Sequence, residues 1–164
     1  MMKKIFAAII VSVLLTGSSY AQELTRESVY VLKELAEDGD AEAQCLLGNM
    51  YQTGNEYVEQ DVHQALMLYL KSAGQGNAAA QFSIGAAYEQ GIGVAQDKVE
   101  ASKWFRLSAE QGNDNAQCAL GLKLYYGGGG MTVNRPAGIL WLKASARQGN
   151  TTAQETLSSL GKNW

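Results

Sequence analysis

Two cysteines are the first candidates for chemistry in this 164-residue chain. Cys45 and Cys118 each follow an Ala-Gln pair, at Ala43-Gln44 and Ala116-Gln117. If these pairs mark repeated helices stacked about 8 to 10 Å apart, the cysteines lie two repeats and about 20 Å apart, beyond the roughly 7 Å that a disulfide spans. The spacing predicts two buried free thiols, and an intermolecular bridge stays open as the alternative.

Neither the single histidine nor the glycine run belongs to a catalytic pattern. His63 has no partner residues that would form a nucleophile–base pair or a metal site, and it is interpreted as a solvated helix residue. The run from Gly127 to Gly130 lacks a following Gly-Lys-Ser/Thr and a preceding strand, which favours a flexible turn over a phosphate cradle. We therefore expect no enzyme activity, no catalytic or metal-binding residue and no cofactor.

The chain contains an internal repeat, and the helices of this repeat must position any functional site. Ala-Gln pairs begin at Ala43, Ala80, Ala116 and Ala153, with spacings of 37, 36 and 37 residues. Apolar and small residues within each repeat recur at spacings of three and four, which predicts two helices. In the first repeat these helices run approximately from Ala41 to Thr53 and from Val62 to Gln75. Such short helices need stacked neighbours to bury their apolar stripes.

Glycines and capping residues recur with the same period. Gly-Asp or Gly-Asn pairs at 39–40, 76–77, 112–113 and 149–150 are predicted to end one helix and cap the next. Second helices are predicted to be capped by Asp61, Asp97 and Asn134. A further series of glycines lies inside the first helix of each repeat, where the missing side chain would let a neighbouring helix approach closely. Its members and their expected partners are Gly48 with Leu68, Gly85 with Trp104, and Gly121 with Trp141.

The second repeat shows a recognisable family pattern. It carries Ala80-Gln81, Gly85, Tyr88, Gly91, Gly93-Val94, Asp97, Ala101, Trp104-Phe105, Ala109 and Glu110-Gln111-Gly112. This pattern resembles the sel-1-like repeat, a relative of the tetratricopeptide repeat, over about residues 28 to 161. The first repeat departs from it with Asn55-Glu56-Tyr57-Val58 in its turn, and the third has Leu124 in place of Tyr.

The resemblance implies an all-α fold, a right-handed α-solenoid of helix-turn-helix repeats with a protein-binding surface. We expect a lone helix over 25–37, repeats over about 40–76, 77–112 and 113–149, and a partial repeat over 150–161. Exported proteins that resemble this one include host-interaction factors and immunity proteins that block a toxin in the periplasm.

The first residues predict export. Lys3 and Lys4 precede an apolar stretch from Ile5 to Leu15, and Ser19-Tyr20-Ala21 has the small residues of a cleavage site. This pattern indicates a signal peptide over residues 1–21, a periplasmic or secreted domain from residue 22, and no membrane insertion. Loss of the two leader lysines takes the net charge from −3 to about −5, which disfavours nucleic acids and anionic membranes as partners.

A surface face is the expected binding site. Glu42, Leu46, Asn49 and Thr53 follow spacings of four, three and four, on a face distinct from the buried stripe. This face is predicted to line a concave groove, with tyrosines in the irregular turns beside it. For each single residue, the alternative is that it is exposed to solvent and has no role in binding. The predicted protein-binding residues are Glu42, Asn49, Thr53, Tyr57, Ser83, Gln90, Asn115, Leu122, Tyr125 and Tyr126.

The sequence thus predicts an exported protein-binding repeat protein, with oligomeric state open. Its most concrete form is an immunity protein that binds and inhibits a secreted antibacterial effector enzyme. The alternatives are a periplasmic binder or modifier of cell-wall fragments and a secreted host-interaction factor.

Overall fold

The structure is a computed structural model that describes residues 25–164, so the predicted leader over 1–21 lies outside the described residues. The described part is all helical, with one isolated bridge between Gly128 and Met131 in place of any strand. None of its helices is long and apolar enough to cross a membrane. The helices are α1 (Arg26–Glu37), α2 (Ala41–Thr53), α3 (Val62–Gly74), α4 (Ala78–Gln90), α5 (Lys98–Glu110), α6 (Asp114–Tyr126), α7 (Arg135–Arg147) and α8 (Thr151–Ser159).

The Gly-Asp and Gly-Asn pairs join consecutive helices as predicted. After α5, Gly112 has a φ of 94° and its N–H donates to the Ala109 carbonyl, while the Asn113 N–H donates to Ser108. These two bonds are a Schellman motif. The Asn113 side chain then accepts from the N–H of Ala116 and caps α6. One residue therefore closes one helix with its backbone and opens the next with its side chain.

The same backbone motif recurs at the three other junctions, at 39–40, 76–77 and 149–150. Asp40 and Asn150 donate their N–H groups to the preceding helix and cap α2 and α8 with their side chains. The predicted caps of the second helices, Asp61, Asp97 and Asn134, also accept from first-turn N–H groups. Such local bonds determine where each helix begins and ends. They explain why α2 has its predicted bounds, and why α3 ends at Gly74, with the predicted last residue Gln75 as its C-cap.

The contacts divide the chain into two compact units, unit 1 up to Asn77 and unit 2 from Ala78. The core of unit 1 joins α1, α2 and α3 through Leu32, Ala36, Ala43, Leu47 and Leu68. Two core clusters lie in the described residues of unit 2. One contains Ala109, Ala116, Leu120 and Leu124, and the other contains Cys118, Leu142, Ala146, Ala153 and Leu157.

The recurring glutamine of the Ala-Gln pairs links neighbouring helices. Gln117 accepts a hydrogen bond of 2.9 Å from the side chain of Gln148 and donates one of 3.3 Å to the Ala109 carbonyl. Gln44 makes the equivalent two bonds in unit 1, with Gln75 and with the Ala36 carbonyl. A buried amide with both functions satisfied stabilises the stack and selects one register between helices.

The glycines inside the first helices do mark close helix approaches, but the predicted partners are wrong by one residue. A Cβ built on Gly48 would lie 2.7 Å from the ring of Tyr69, and one on Gly85 would lie 2.7 Å from the ring of Phe105. At Gly121 the neighbour is Leu142, at 2.8 Å. One residue turns a helix by about 100°, so the residue after each expected partner faces the glycine instead. The affected predictions are Leu68, Trp104 and Trp141.

Candidate functional site

The side chains with nucleophilic or metal-binding potential do not converge. Cys45 and Cys118 are buried and free, as predicted. Burial, with a contribution from Glu42, raises the pKa of the Cys45 thiol to about 11, and burial together with Asp114 raises the pKa of Cys118. His63 is exposed in the first turn of α3. Among residues 25–164, no three His, Cys, Asp or Glu residues group as metal ligands would.

The predicted binding face of unit 1 lies largely in solvent. Glu42, Asn49 and Thr53 are exposed on α2. The Asn49 side chain accepts a hydrogen bond of 2.7 Å from the Tyr69 hydroxyl, and Thr53 donates its hydroxyl to the Asn49 carbonyl. Asn49 therefore supports the packing of α2 on α3 as well as facing outward.

In unit 2 the predicted binding residues differ in their exposure and in the contacts that their side chains already make. Gln90 and Asn115 are exposed, and Ser83 is half-buried. The Asn115 side chain accepts a hydrogen bond of 3.0 Å from Asn150. Leu122 is half-buried and packs against the core of unit 2, so its side chain is used in packing.

The predicted residues Tyr125 and Tyr126 form an aromatic pair at the end of α6, with Tyr125 half-buried and Tyr126 exposed. Tyr126 is 62% exposed, and its ring meets Tyr125 edge to face with centroids 4.8 Å apart. The guanidinium of Arg135 lies 5.7 Å from the Tyr125 ring, within cation–π range. Tyr126 thus projects into solvent from an aromatic base that limits its motion.

Two exposed valines lie against the glycine turn that follows Tyr126. Val99 and Val133 are 51% and 50% exposed. A methyl group on Gly130 would lie 3.0 Å from Val99, and one on Gly127 would lie 3.2 Å from Val133. We call Val99, Tyr125, Tyr126 and Val133, which lie beside this turn, the tyrosine–valine patch.

The glycine turn that joins the patch packs onto α5, in contrast to the flexible turn expected. Gly128 to Gly130 have φ values of 127°, 57° and 71°, which side chains rarely adopt. Gly129 lies so close to Ser102 and to the Lys98 carbonyl that no side chain fits. In an isolated turn, a run of glycines predicts backbone flexibility. Here the absence of side chains instead permits close contact between the turn and a helix.

Lys123 anchors the base of this region. Its ammonium lies 2.6 Å from the Glu89 carboxylate and 5.6 Å from the centre of the Phe105 ring. The Lys123 side chain is only 13% exposed, so solvent screens the pair less than a surface ion pair. This contact fixes the end of α6, from which Tyr125 and Tyr126 project.

The remaining predicted residue, Tyr57, lies in unit 1 beside a surface cleft of about 260 Å³. Its turn is fixed by Asn55, whose side chain accepts from the N–H groups of Tyr57 and Val58. Val58 is 3% exposed and secures the turn to the unit. The cleft residues are Arg26, Val29, Tyr30, Lys33, Glu56 and Tyr57.

Sequence reasoning missed the residues that the fold brings to these tyrosines. Arg135 lies over the Tyr125 ring, Val133 and Val99 lie against the glycine turn that follows Tyr126, and α1 supplies the charged side of the cleft. The sequence did carry one signal for Val99. It is an apolar residue in the first turn of α5, on the side of the helix away from the buried residues.

The comparisons with known proteins identify the repeat. The Sel1 repeat model matches residues 41–77, 78–113 and 114–150. The chain belongs to the Sel1 repeat family. Repeats of this family mediate protein–protein interaction.

Solved structures agree with this assignment. A Sel1 repeat protein from Oxalobacter formigenes is 31% identical with a TM-score of 0.77, over 90% of this chain and 55% of that one. The c5321 protein, a protective antigen present in uropathogenic Escherichia coli strains, is 33% identical with a TM-score of 0.76, over 95% and 33%. This Sel1 chain therefore spans about half and a third of the lengths of those two proteins.

A more distant likeness bears on the fold alone. Helicobacter pylori cysteine rich protein B is 20% identical with a TM-score of 0.61, over 79% of this chain and 96% of that one. The predicted fold class, an all-α solenoid of helix-turn-helix repeats, is confirmed by these structures. The comparison with curated proteins gave no significant match.

Proposed function

We propose that this Sel1 repeat protein binds another protein outside the cytoplasm through the tyrosine–valine patch. The observation that carries the proposal is Tyr126, a ring 62% exposed to solvent yet held edge to face on Tyr125. Exposed tyrosines held in one orientation supply much of the binding energy of protein interfaces, because little rotamer entropy is lost on binding.

The chemistry around Tyr126 indicates what the partner presents. Val99 and Val133 offer apolar contact, which favours an apolar side chain opposite them. Arg135 is exposed beside Tyr125 and forms no ion pair with any described residue, so a carboxylate of the partner would complete the contact. A protein segment that carries both groups fits this patch.

The most concrete form of the function is an immunity protein that inhibits a secreted antibacterial effector enzyme. Its support is the predicted export, the acidic net charge and a family fold that mediates protein interaction. In this proposal the patch covers the active site or substrate path of the effector.

The test is a pulldown from envelope extracts with the tagged full chain, followed by mass spectrometry. Tyr126→Arg places a charge at the centre of the patch, and it should remove the partner. Leu140→Arg is the matched control, because Leu140 is 68% exposed and lies about 140° around α7 from Arg135. Retention of the same partner by Tyr126→Arg, or no partner for the native chain, would count against the proposal.

The immunity assignment requires a second measurement. The captured partner should be an enzyme whose activity falls as the chain approaches a one-to-one ratio. A partner without enzymatic activity would leave protein binding in place and remove the immunity assignment.

A host-interaction factor is the second candidate function. The E. coli relative is named as a protective antigen, and it is 33% identical over 95% of this chain. Detection of the chain in culture medium, rather than in the periplasmic fraction, would favour this candidate.

A further inference from the structure

Unit 1 carries a second surface that differs in chemistry from the tyrosine–valine patch. The cleft of about 260 Å³ lies between one face of α1 and the turn that follows α2. Arg26, Tyr30 and Lys33 follow spacings of four and three on α1, so they share that face. The adjoining face of α1 packs Leu32 and Ala36 into the core. Arg26 and Tyr30, which are exposed, are therefore not needed for the packing of the unit.

The base of the cleft is buried, and the backbone of one wall is held by hydrogen bonds. Val29 is 4% exposed and forms an apolar base, while Tyr30 is 61% exposed at the rim. On the other side, the Asn55 side chain holds the backbone of Tyr57 with hydrogen bonds of 2.8 and 2.9 Å to the N–H groups of Tyr57 and Val58. A site with fixed walls loses less conformational entropy when it binds.

The lining of the cleft has two cations and one carboxylate, on a protein whose net charge is negative. Arg26 and Lys33 face a single lining carboxylate, that of Glu56, whereas the chain has a net charge of −3. Within residues 25–164 the ion pairs are Lys103 with Glu100 and Lys123 with Glu89, so neither lining cation is neutralised there. Glu34, next to the cleft on α1, accepts a hydrogen bond from the Tyr30 hydroxyl, which raises the pKa of Tyr30.

Size restricts the class of ligand. Pockets for cofactors and other small molecules usually have volumes of about 300 to 1,000 Å³. A cleft of about 260 Å³ with two cations and two tyrosine rings suits one or two side chains of a protein. We propose that it binds an acidic segment of a protein partner, with a carboxylate between Arg26 and Lys33 and a neighbouring apolar side chain against Tyr30 and Tyr57.

The probe for this proposal is a fluorescein-labelled peptide of alternating glutamate and phenylalanine, with the glutamine version as its counterpart. Fluorescence anisotropy with the full chain should show binding of the glutamate peptide and at least about tenfold weaker binding of the glutamine peptide. Binding should also weaken as salt is raised from about 0.1 to 0.5 M, because Arg26 is exposed and Lys33 only half-buried.

A charge-reversed variant locates the binding. Arg26→Glu with Lys33→Glu should lower the affinity for the glutamate peptide by about tenfold or more. Arg106→Glu with Lys162→Glu is the matched control, since it makes the same charge change at two exposed residues of unit 2. Arg26→Gln with Lys33→Gln, checked by thermal melting, provides a milder variant should the reversal unfold the chain.

The outcomes separate this proposal from its alternatives. Absence of peptide binding, equal binding of both peptides, or equal loss in the two charge-reversed variants would overturn it. Displacement of the peptide by a muropeptide more strongly than by unlabelled peptide would assign the cleft to a cell-wall ligand and also overturn it. Tyr126→Arg should leave peptide binding unchanged, so this proposal and the proposed function fail independently.

Discussion

At the scale of single residues, the distance between packed helices depends on glycines, which have no side chain to hold the helices apart. Gly121 on α6 and Gly138 on α7 lie opposite one another. A Cβ on Gly138 would lie 2.8 Å from the Gly121 carbonyl oxygen, and one on Gly121 would lie 3.0 Å from the Gly138 carbonyl oxygen. Backbone atoms cannot move aside as a flexible side chain can, so these two glycines set how closely α6 and α7 approach.

Gly121→Ala should therefore destabilise the protein by about 1 to 3 kcal/mol despite the better helix propensity of alanine. Gly74→Ala is the control, because Gly74 ends α3 with no atom within 4 Å of an added methyl. The control should be neutral or more stable by about 0.5 kcal/mol. Urea unfolding measures both, and equal free energies of unfolding for the two variants would contradict the close-approach argument.

Cys45 gives a second prediction at this scale, on thiol reactivity. Burial, with Glu42, raises its pKa from 9.0 to about 11, so at about pH 8 the native thiolate fraction falls by about a hundredfold. In a Cys118→Ala variant, maleimide labelling of native Cys45 should be slower than labelling in urea by at least that factor. Equal native and unfolded rates would show that Cys45 is accessible.

The same shift has a consequence for stability against pH. A pKa raised in the folded state means that the contribution of Cys45 is fully present below about pH 9 and is lost as pH rises toward about 11. Comparison of native and Cys45→Ala chains over that interval isolates this contribution from those of the tyrosines and lysines.

At the scale of helices, the glutamine bridges and the shared caps determine how one helix follows the next. Ser145 donates its hydroxyl to the Asp114 carbonyl at 2.7 Å, and Ser108 does the same to Ala78. Each bond ties the end of a second helix to the start of a first helix in the same repeat. Together with the glutamines, these bonds restrict sliding between packed helices that apolar contacts alone would permit.

Gln117→Leu tests the glutamine bridge. The substitution leaves the Ala109 carbonyl without its side-chain donor in a region where Gln117 is 7% exposed. We expect a loss of about 2 kcal/mol in the free energy of unfolding. Gln90→Leu, at an exposed position, should change it by less than about 0.5 kcal/mol. A neutral Gln117→Leu would mean that apolar packing replaces the bridge.

At the scale of the whole molecule, contacts cluster into two units that meet in sequence at Asn77 and Ala78. Each unit has its own core, and repeat proteins gain stability mainly from contacts between adjacent helices. The proposed patch belongs to unit 2 and the proposed cleft to unit 1. Damage to the core of one unit is therefore expected to remain local.

Hydrogen exchange of the Gly121→Ala variant tests this expectation. Amides in α6 and α7, such as those of Leu120 and Leu142, should lose protection in proportion to the lost stability. Amides of Leu47 and Leu68 in unit 1 should keep their native exchange rates. A uniform loss across both units would show that the chain unfolds as one cooperative body.

Much of the fold could be predicted because its signals are local. Helix ends depend on a glycine and a capping residue within a few positions of each other, as at Gly112 and Asn113. The fixed period shows that such pairs recur, and it led to the repeat family. Burial of Cys45 and Cys118 followed from the same periodic pattern.

The candidate sites required the tertiary structure. Sequence identified Tyr57, Tyr125 and Tyr126 as binding residues, and that assignment stays a prediction. Whether Val99 meets Gly130, whether Arg135 covers Tyr125 and whether α1 faces the turn of Tyr57 depend on contacts between segments distant in sequence. The rotation of each second helix, which places Tyr69 rather than Leu68 against Gly48, has the same origin. Periodicity specifies which residues share a face, but only packing selects the residue on the opposing helix that fills the space.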